Sequence, residues 1–161
     1  MIRKRNEESL LLRLILLGER LRKRREKISK KLGISTQQWL IMLHIARDPN
    51  IPFINFNDHK KDMMPKEIAA TLGTSRPNIT VFINGLLEKN LIREVQDEDD
   101  KRQKRLQLTD EGWALLNGLQ SKREMLNSEL FKVFTQTEME QVLAFANKFI
   151  DYIEENEEDE I

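Results

Sequence analysis

The sequence of 161 residues contains no cysteine. This excludes disulfides, cysteine-ligated zinc and thiol-based redox sensing, and it is compatible with the cytoplasm, where we expect the protein. Aromatic residues make up 6% of the chain and charged residues 34%, a composition typical of a helical protein with a charged surface rather than a strand-rich sandwich. No run approaches the roughly 18 apolar residues of a membrane span, so we expect no membrane-inserted segment.

The sequence also lacks the motifs that usually indicate an enzyme. It has no phosphate-binding glycine loop, no Gly-x-Ser-x-Gly turn and no His-Glu-x-x-His pair. Its acidic pairs occur in exposed charge runs, where a carboxylate is a poor general acid. The two histidines, His44 and His59, are too few for a metal site and are expected at the surface or in a loop. We therefore predict no catalysis, no cofactor and no bound metal.

The net charge of zero hides an asymmetry along the chain. Positions 151–161 hold seven acidic residues and no Lys or Arg, so the other 150 residues carry 27 basic against 20 acidic side chains, a net charge of +7. A polyanion is therefore an electrostatically plausible partner. The basic start at residues 3–5 superficially resembles a secretory signal, but Arg13 interrupts the apolar run that follows. We expect a helix there rather than an export signal.

Helical spacing organises both ends of the chain. A leucine-rich stripe, repeating every three, four or seven residues from Leu10 to Leu32, predicts a long first helix that ends at Gly33. The latter half of that helix holds eight cations whose role, as a solvated face or a DNA-facing one, stays open: Arg20, Arg22, Lys23, Arg24, Arg25, Lys27, Lys30 and Lys31. Ser35 or Thr36 is expected to cap a second helix, and residues 48–63 are expected to form an ordered loop.

The centre of the chain predicts a helix-turn-helix followed by a hairpin. A short helix over residues 65–72 begins with Pro65, Gly73 supplies a turn, and a second helix runs from Ser75, its expected cap, to Asn90. Residues 91–96 and 105–108 predict two strands around a charged tip. Thr109 is expected to cap a further helix, and a last helix begins near residue 137. The predicted fold is mainly α with a small β-hairpin, a winged helix-turn-helix.

Side chains on the second helix of this motif are suited to reading bases in duplex DNA. The positions that remain after the apolar core is assigned, together with the cap, are Ser75, Arg76, Pro77, Asn78, Thr80, Val81 and Asn84. Arginine can bridge two acceptors of guanine, asparagine can pair with adenine, and valine can pack on a thymine methyl. At the hairpin, cations suited to phosphates or a narrow minor groove are Lys101, Arg102, Lys104 and Arg105. We expect Asp100 to orient Arg102 or Lys104.

The order of these motifs resembles the MarR (multiple antibiotic resistance regulator) family of winged-helix repressors, from about residue 33 to residue 116. Six segments carry the resemblance: Ser35–Trp39, Pro65–Gly73, Ser75–Thr80, Leu86–Ile92, Asp100–Arg102 and Leu106–Gly112. The chain departs from the family at Val81, where many members carry Arg, and at Asn84, where Asp is common. Its base preference therefore cannot be carried over from relatives. The alternative is a winged-helix module that binds a protein rather than DNA.

The resemblance also implies a homodimer whose first and last helices interleave at a two-fold axis. Residues 1–33 and 121–161 would then form dimerisation helices, and residues 34–120 the DNA-binding domain. Apolar stripes at both ends of the chain agree with this, although they could instead pack within one chain. By resemblance the protein represses transcription from an inverted-repeat operator and releases it on binding a small aromatic effector. Candidates for that pocket, each equally suited to the core, are Trp39, His44 and Trp113.

Overall fold

The computed structural model describes residues 5–51, 63–98 and 100–156. Within these ranges the structure is mainly α with one antiparallel hairpin, as predicted. The helices are α1 Asn6–Lys30, α2 Thr36–Ile45, α3 Pro65–Thr71, α4 Arg76–Glu88, α5 Asp110–Phe131 and α6 Gln136–Asn156, and the strands are β1 Ile92–Gln96 and β2 Lys104–Leu108. Most of the predicted 48–63 loop, residues 52–62, lies outside the described residues.

The chain divides into two compact units, residues 1–116 and residues 117–161. In the first unit, side chains from three helices and the hairpin form one apolar core. Its fully buried members include Ile41 and Met42 of α2, Ile68 of α3, Leu86 of α4 and Leu106 of β2. Burying each such side chain contributes about 1.5–3 kcal/mol. This core fixes α4 and the hairpin within a single body.

Short-range capping explains where the helices of this unit start and stop. Ser35 Oγ accepts a hydrogen bond from Gln38 N at 3.1 Å, and Gln38 Oε1 accepts one from Ser35 N at 3.0 Å. This reciprocal pair satisfies two backbone donors that a helix start leaves unpaired. At the other ends, Gly73 (φ 55°) and Asn90 (φ 55°) adopt the left-handed conformation. Both residue types tolerate it, so α3 and α4 end as predicted.

Ser75 differs from its prediction as a cap. It occupies the cap position before α4, but its side chain makes no capping hydrogen bond. Thr109 does cap α5 as predicted, because its Oγ1 accepts from Gly112 N at 3.0 Å. The same hydroxyl donates to Asn90 O at 2.6 Å. The start of α5 is thereby tied to the end of α4.

The hairpin is the wing of the fold, with Ile92 paired to Leu108 and Gln96 paired to Lys104. One further bridge joins it to the segment before α3, where Leu106 N donates to Met63 O at 2.9 Å. The buried side chains of Ile92 and Leu106 attach the base of the hairpin to the core. The tip is therefore held at a fixed place relative to α4.

The second unit contains residues 117–131 of α5 and all of α6, and most apolar residues of α6 are exposed. Val142, Leu143 and Tyr152 are 53%, 62% and 64% exposed, and Phe145 stacks on Phe149 with ring centroids 5.8 Å apart. In the first unit, the N-terminal half of α1 is similarly bare. Its exposed residues are Leu10, Leu11, Leu12, Ile15, Leu16 and Leu17. No helix in the part of the chain that the structure describes could cross a bilayer.

Candidate nucleic-acid interface

The outward face of α4 forms a polar ridge with one apolar residue in it. Ile79, Ile83 and Leu86 are buried and fix the inner side of the helix. The residues Pro77, Asn78, Thr80, Val81 and Asn84, which we define as the α4 ridge, are all exposed. Because residues three and four apart share a helix face, Pro77, Val81 and Asn84 lie on one line and Asn78 and Thr80 flank it. The side chain of Arg76 lies outside the described part of the molecule.

Contacts from the body hold α4 in this orientation. Gln38, which also caps α2, donates from Nε2 to Phe82 O at 3.4 Å near the middle of α4. Near the end of the helix, Lys89 Nζ donates to Gly33 O. Two contacts at different heights resist rotation about the helix axis. The ridge is therefore presented in one direction.

The tip of the wing is organised by Asp100, as the sequence predicts. Its Oδ1 accepts from Arg102 N at 3.0 Å and from Arg102 Nε at 3.3 Å, and its Oδ2 accepts from Gln103 Nε2 at 3.0 Å. The amide of Gln103, and next the backbone N–H of Arg102, lower the pKa of Asp100. The Arg102 side chain is 93% exposed. Its guanidinium is thus aimed into solvent although one edge is paired.

The predicted wing cations divide into outward and inward groups. Lys101, Arg102 and Lys104 are exposed, and Lys104 pairs across the hairpin with Glu94 rather than with Asp100. Arg105 differs from its prediction as a phosphate-contacting cation. Its side chain is only 7% exposed and pairs with Asp97, which is 3% exposed. A guanidinium in that position is not available to a phosphate. Arg105 instead stabilises the wing from inside.

Sequence reasoning missed Asp97, although two signals in the chain pointed to it. Successive side chains of a strand face opposite sides, so Lys104 and Arg105 could not both face outward. An inward cation needs a buried acid, and Asp97 stands directly after β1. The same carboxylate accepts from Asp100 N at 2.8 Å, and Asp97 N donates to Gln103 O at 3.0 Å. Asp97 therefore joins β2 to the tip of the wing.

The three candidate pocket residues occupy different environments. Trp39 and His44 are buried in α2, whereas Trp113 on α5 is 45% exposed. The expectation that His44 lies at the surface or in a loop is wrong. Its Nδ1 lies 2.7 Å from Leu40 O and donates to it, while its buried Nε2 has no hydrogen-bond partner among the described residues. Burial lowers the pKa of His44, and the hydrogen bond to Leu40 opposes this only in part.

The effector pocket therefore stays a prediction, and the described residues give no sign of a metal centre. The described ranges contain no group of three or more His, Asp or Glu side chains that could hold a metal ion. A buried imidazole with a free acceptor nitrogen is costly unless a donor reaches it. Among the three residues, His44 Nε2 is the buried acceptor that a bound molecule with a donor could satisfy.

Known proteins resemble the chain over most of its length. A model of the MarR family matches residues 32–103. The transcriptional repressor MprA of Escherichia coli is 24% identical over 154 residues, which cover 95% of this chain and 82% of that protein. The Staphylococcus aureus MepR–DNA complex is similar at a TM-score of 0.69 and 21% identity, covering 89% of this chain and 96% of that one.

A second solved structure has a higher structural similarity. It is Staphylococcus aureus MarR in complex with salicylate and kanamycin, at a TM-score of 0.75 and 22% identity, covering 92% of this chain and 93% of that one. At these identities the likeness of the solved structures shows the fold, a winged helix-turn-helix. The fold predicted from the sequence is therefore confirmed.

Proposed function

Because its segment at residues 32–103 belongs to the MarR family, we propose that this protein is a cytoplasmic, homodimeric repressor that binds an inverted-repeat operator in duplex DNA. The observation that carries the proposal is the α4 ridge, exposed in the same compact unit as the cationic wing tip. An α-helix, about 10–12 Å across with its side chains, fits the major groove, which is about 12 Å wide. The relative MepR, solved with DNA, supports this proposal.

The chemistry of the α4 ridge suits base edges better than it suits water. Val81 is 68% exposed, and an apolar side chain at the centre of a polar ridge gains by packing on a thymine methyl. Asn78 and Asn84 can each donate to and accept from the major-groove edge of adenine. Arg102 and Lys101 at the wing tip would contact phosphates or the adjacent minor groove. Arg105 is left out of this set because it is buried.

The bare apolar surfaces support the dimer. A soluble monomer rarely exposes a contiguous apolar patch larger than a few hundred Å², yet the N-terminal half of α1 and the length of α6 carry many exposed leucine, valine and aromatic residues. We assign dimerisation to residues 1–33 and 121–161 and DNA binding to residues 34–120. Two reading heads would then meet half-sites about 34–36 Å apart. Sedimentation at micromolar concentration should give the dimer mass, and a monomer would refute this assignment.

We further propose that a small aromatic compound releases the protein from DNA. The relative solved with salicylate supports this ligand class, and the free acceptor nitrogen of His44 suits a phenolic hydroxyl. Trp39 and Trp113 are the candidate aromatic walls. A compound that binds best to a dimer with a different half-site spacing would shift the population away from the DNA-bound form.

Selection of bound sites from random duplex DNA tests the central proposal. We expect the selected sites to form an inverted repeat. We also expect the logarithm of the binding constant to fall by about 0.9 per log unit of salt concentration for each phosphate contacted. Asn78→Ala should cost on the order of 1–3 kcal/mol at one base pair and relax the preference there. Arg102→Ala should weaken all sequences evenly and lower the salt slope by about 1.

The control for both variants is Asn127→Ala, which removes an exposed amide from the second unit. It should leave affinity and base preference unchanged. If no duplex gives a salt-dependent complex, the protein does not bind DNA and a protein-interaction module becomes the better explanation. If Asn78→Ala binds the selected operator with the affinity and base preference of the wild type, the assignment of α4 as the recognition helix is wrong.

A further inference from the structure

A second cationic surface lies on the latter half of α1 and the residue that follows it. We define it as the basic stripe: Arg20, Lys23, Arg24, Lys27, Lys30 and Lys31. All six side chains are exposed. At a spacing of 3.6 residues per turn the six positions fall within about one third of the helix circumference, and at 1.5 Å per residue they extend over roughly 16 Å. The stripe is therefore compact in both directions.

The other charges of this half-helix face elsewhere and are engaged. Glu19 and Glu26 both bind Arg22, at 2.8 Å and 2.5 Å. Arg25 lies over the Trp39 ring, 5.4 Å from its centroid. No acidic residue shares the arc of the basic stripe between residues 20 and 31. The stripe thus presents charge of a single sign.

The packing of α1 turns the stripe away from α2. Ser29 is 1% exposed, and its Oγ lies 3.4 Å from the Oγ1 of Thr36 at the start of α2. Together with the contact between Arg25 and Trp39, this shows which side of α1 packs against α2. The basic stripe covers the side turned away from that contact. Its cations are accessible to an external partner.

Helix stability alone does not account for the stripe. Cations near the C-terminus of a helix interact favourably with its dipole, but this effect fades beyond the last turn and so does not reach Arg20, Lys23 and Arg24. Like charges three and four residues apart, such as Lys23 and Lys27, repel each other and destabilise a helix. The stripe repeats that spacing several times. A bound polyanion would relieve the repulsion.

We propose that the basic stripe binds the phosphate backbone of duplex DNA outside the base pairs that α4 reads, and this inference rests on the proposed function. Duplex DNA carries one negative charge per about 1.7 Å of its axis, so a 16 Å row of cations faces several phosphates at once. The stripe offers no apolar side chain, and of the two large apolar residues between positions 20 and 31, Ile28 is partly buried and only Leu21 is exposed. A membrane-binding helix needs a free apolar face of its own, so DNA fits better than a lipid surface.

The test compares two triple variants of the full-length protein with equal loss of charge. Lys23→Gln, Lys27→Gln and Lys30→Gln neutralise half of the stripe, and the control neutralises three exposed lysines of the second unit, Lys122, Lys132 and Lys148. Binding is measured on the selected operator, extended by about one helical turn beyond each half-site, at salt concentrations between about 50 and 200 mM. Circular dichroism and sedimentation establish that each variant is folded and has the wild-type assembly state.

If each of the three lysines contacts one phosphate, the salt slope should fall by about 2.7. The affinity ratio of wild type to stripe variant would then shrink about 40-fold over that salt range. Base preference should not change, and replacing the same three lysines with arginine should preserve the slope. The control triple variant should bind with the wild-type slope.

Three results would overturn the inference or its premise, and they are distinguishable. Equal slopes for the stripe variant and the control would mean that only net charge matters or that the stripe is not in contact. Binding to vesicles of anionic and zwitterionic lipid that only the stripe variant loses, with its DNA slope unchanged, would assign the stripe to membranes. A wild-type protein that binds no duplex at all would instead refute the proposed function.

Discussion

Removing Asp97 should destabilise the protein more than most single substitutions would. Asp97→Ala leaves the Arg105 guanidinium without its carboxylate in a place where the arginine side chain is only 7% exposed. Breaking a buried ion pair from one side costs about 3–5 kcal/mol, because the remaining charge loses its carboxylate in a place that water hardly reaches. In a chain of this length that corresponds to a fall in melting temperature of roughly 6–20 °C.

A double replacement separates the cost of an orphaned charge from the value of the pair. Asp97→Leu with Arg105→Met removes both charges and keeps most of the volume, and such exchanges are often neutral or stabilising. Here the leucine also loses the hydrogen bond from Asp100 N, so we expect a net cost of about 1 kcal/mol. Asp97→Asn retains an acceptor for that bond and isolates the loss of charge.

Urea unfolding at fixed protein concentration measures all three variants, since the stability of the proposed dimer would depend on concentration. The single substitution Asp97→Ala should be much less stable than the double variant. It should also weaken DNA binding evenly across sequences, because the wing tip loses its anchor. A cost below about 1 kcal/mol for Asp97→Ala would match an exposed ion pair and would refute the buried geometry.

Three further predictions concern the body of the first unit and the helix that leaves it. Gly112→Ala places a Cβ 2.1 Å from Leu91 O and should destabilise the protein in thermal unfolding, whereas Gly118→Ala meets nothing within 4 Å and should stabilise it by about 0.5–1 kcal/mol. Ser35→Ala removes a capping box and should lower the free energy of unfolding by about 1 kcal/mol in urea. The pKa of buried His44 lies below its ordinary 6.5, so the imidazole takes up a proton more readily in the unfolded chain than in the folded one. The free energy of unfolding should therefore fall as pH drops below about 6.5. His44→Phe should flatten this pH dependence in urea unfolding measured from pH 7 to pH 5.

The sequence predicts the features that depend on chemistry between near neighbours. The capping box of Ser35 and Gln38 spans three residues, and the left-handed turns at Gly73 and Asn90 depend on one residue each. These interactions form wherever the chain adopts the helix, so they can be recognised without knowing what packs nearby. The outward face of α4 follows for a similar reason, since the apolar positions at helical spacing define the inner side.

Residue type was misleading where a side chain's surroundings decide its role. Arg105 has the chemistry of a phosphate ligand, but the strand turns it inward onto a partner eight residues earlier across the hairpin. His44 is polar, yet the helix that carries it is buried and takes the imidazole with it. Ser75 is a good capping residue by type, but its hydroxyl makes no capping bond. For Arg105 and His44 the deciding contact comes from backbone direction or tertiary packing, and no contact in the structure explains Ser75.

The eight cations between residues 20 and 31 show what the sequence determines and what only the tertiary structure decides. Their number and their helical spacing are fixed by the sequence alone, as is the excess of positive charge over the first 150 residues. Only the folded chain distinguishes them: Arg22 pairs with two carboxylates, Arg25 lies over the Trp39 ring, and the other six are exposed. Periodicity and short-range hydrogen bonding are properties of the local chain, whereas burial and pairing depend on neighbours brought together from distant positions, and those exist only in the tertiary structure.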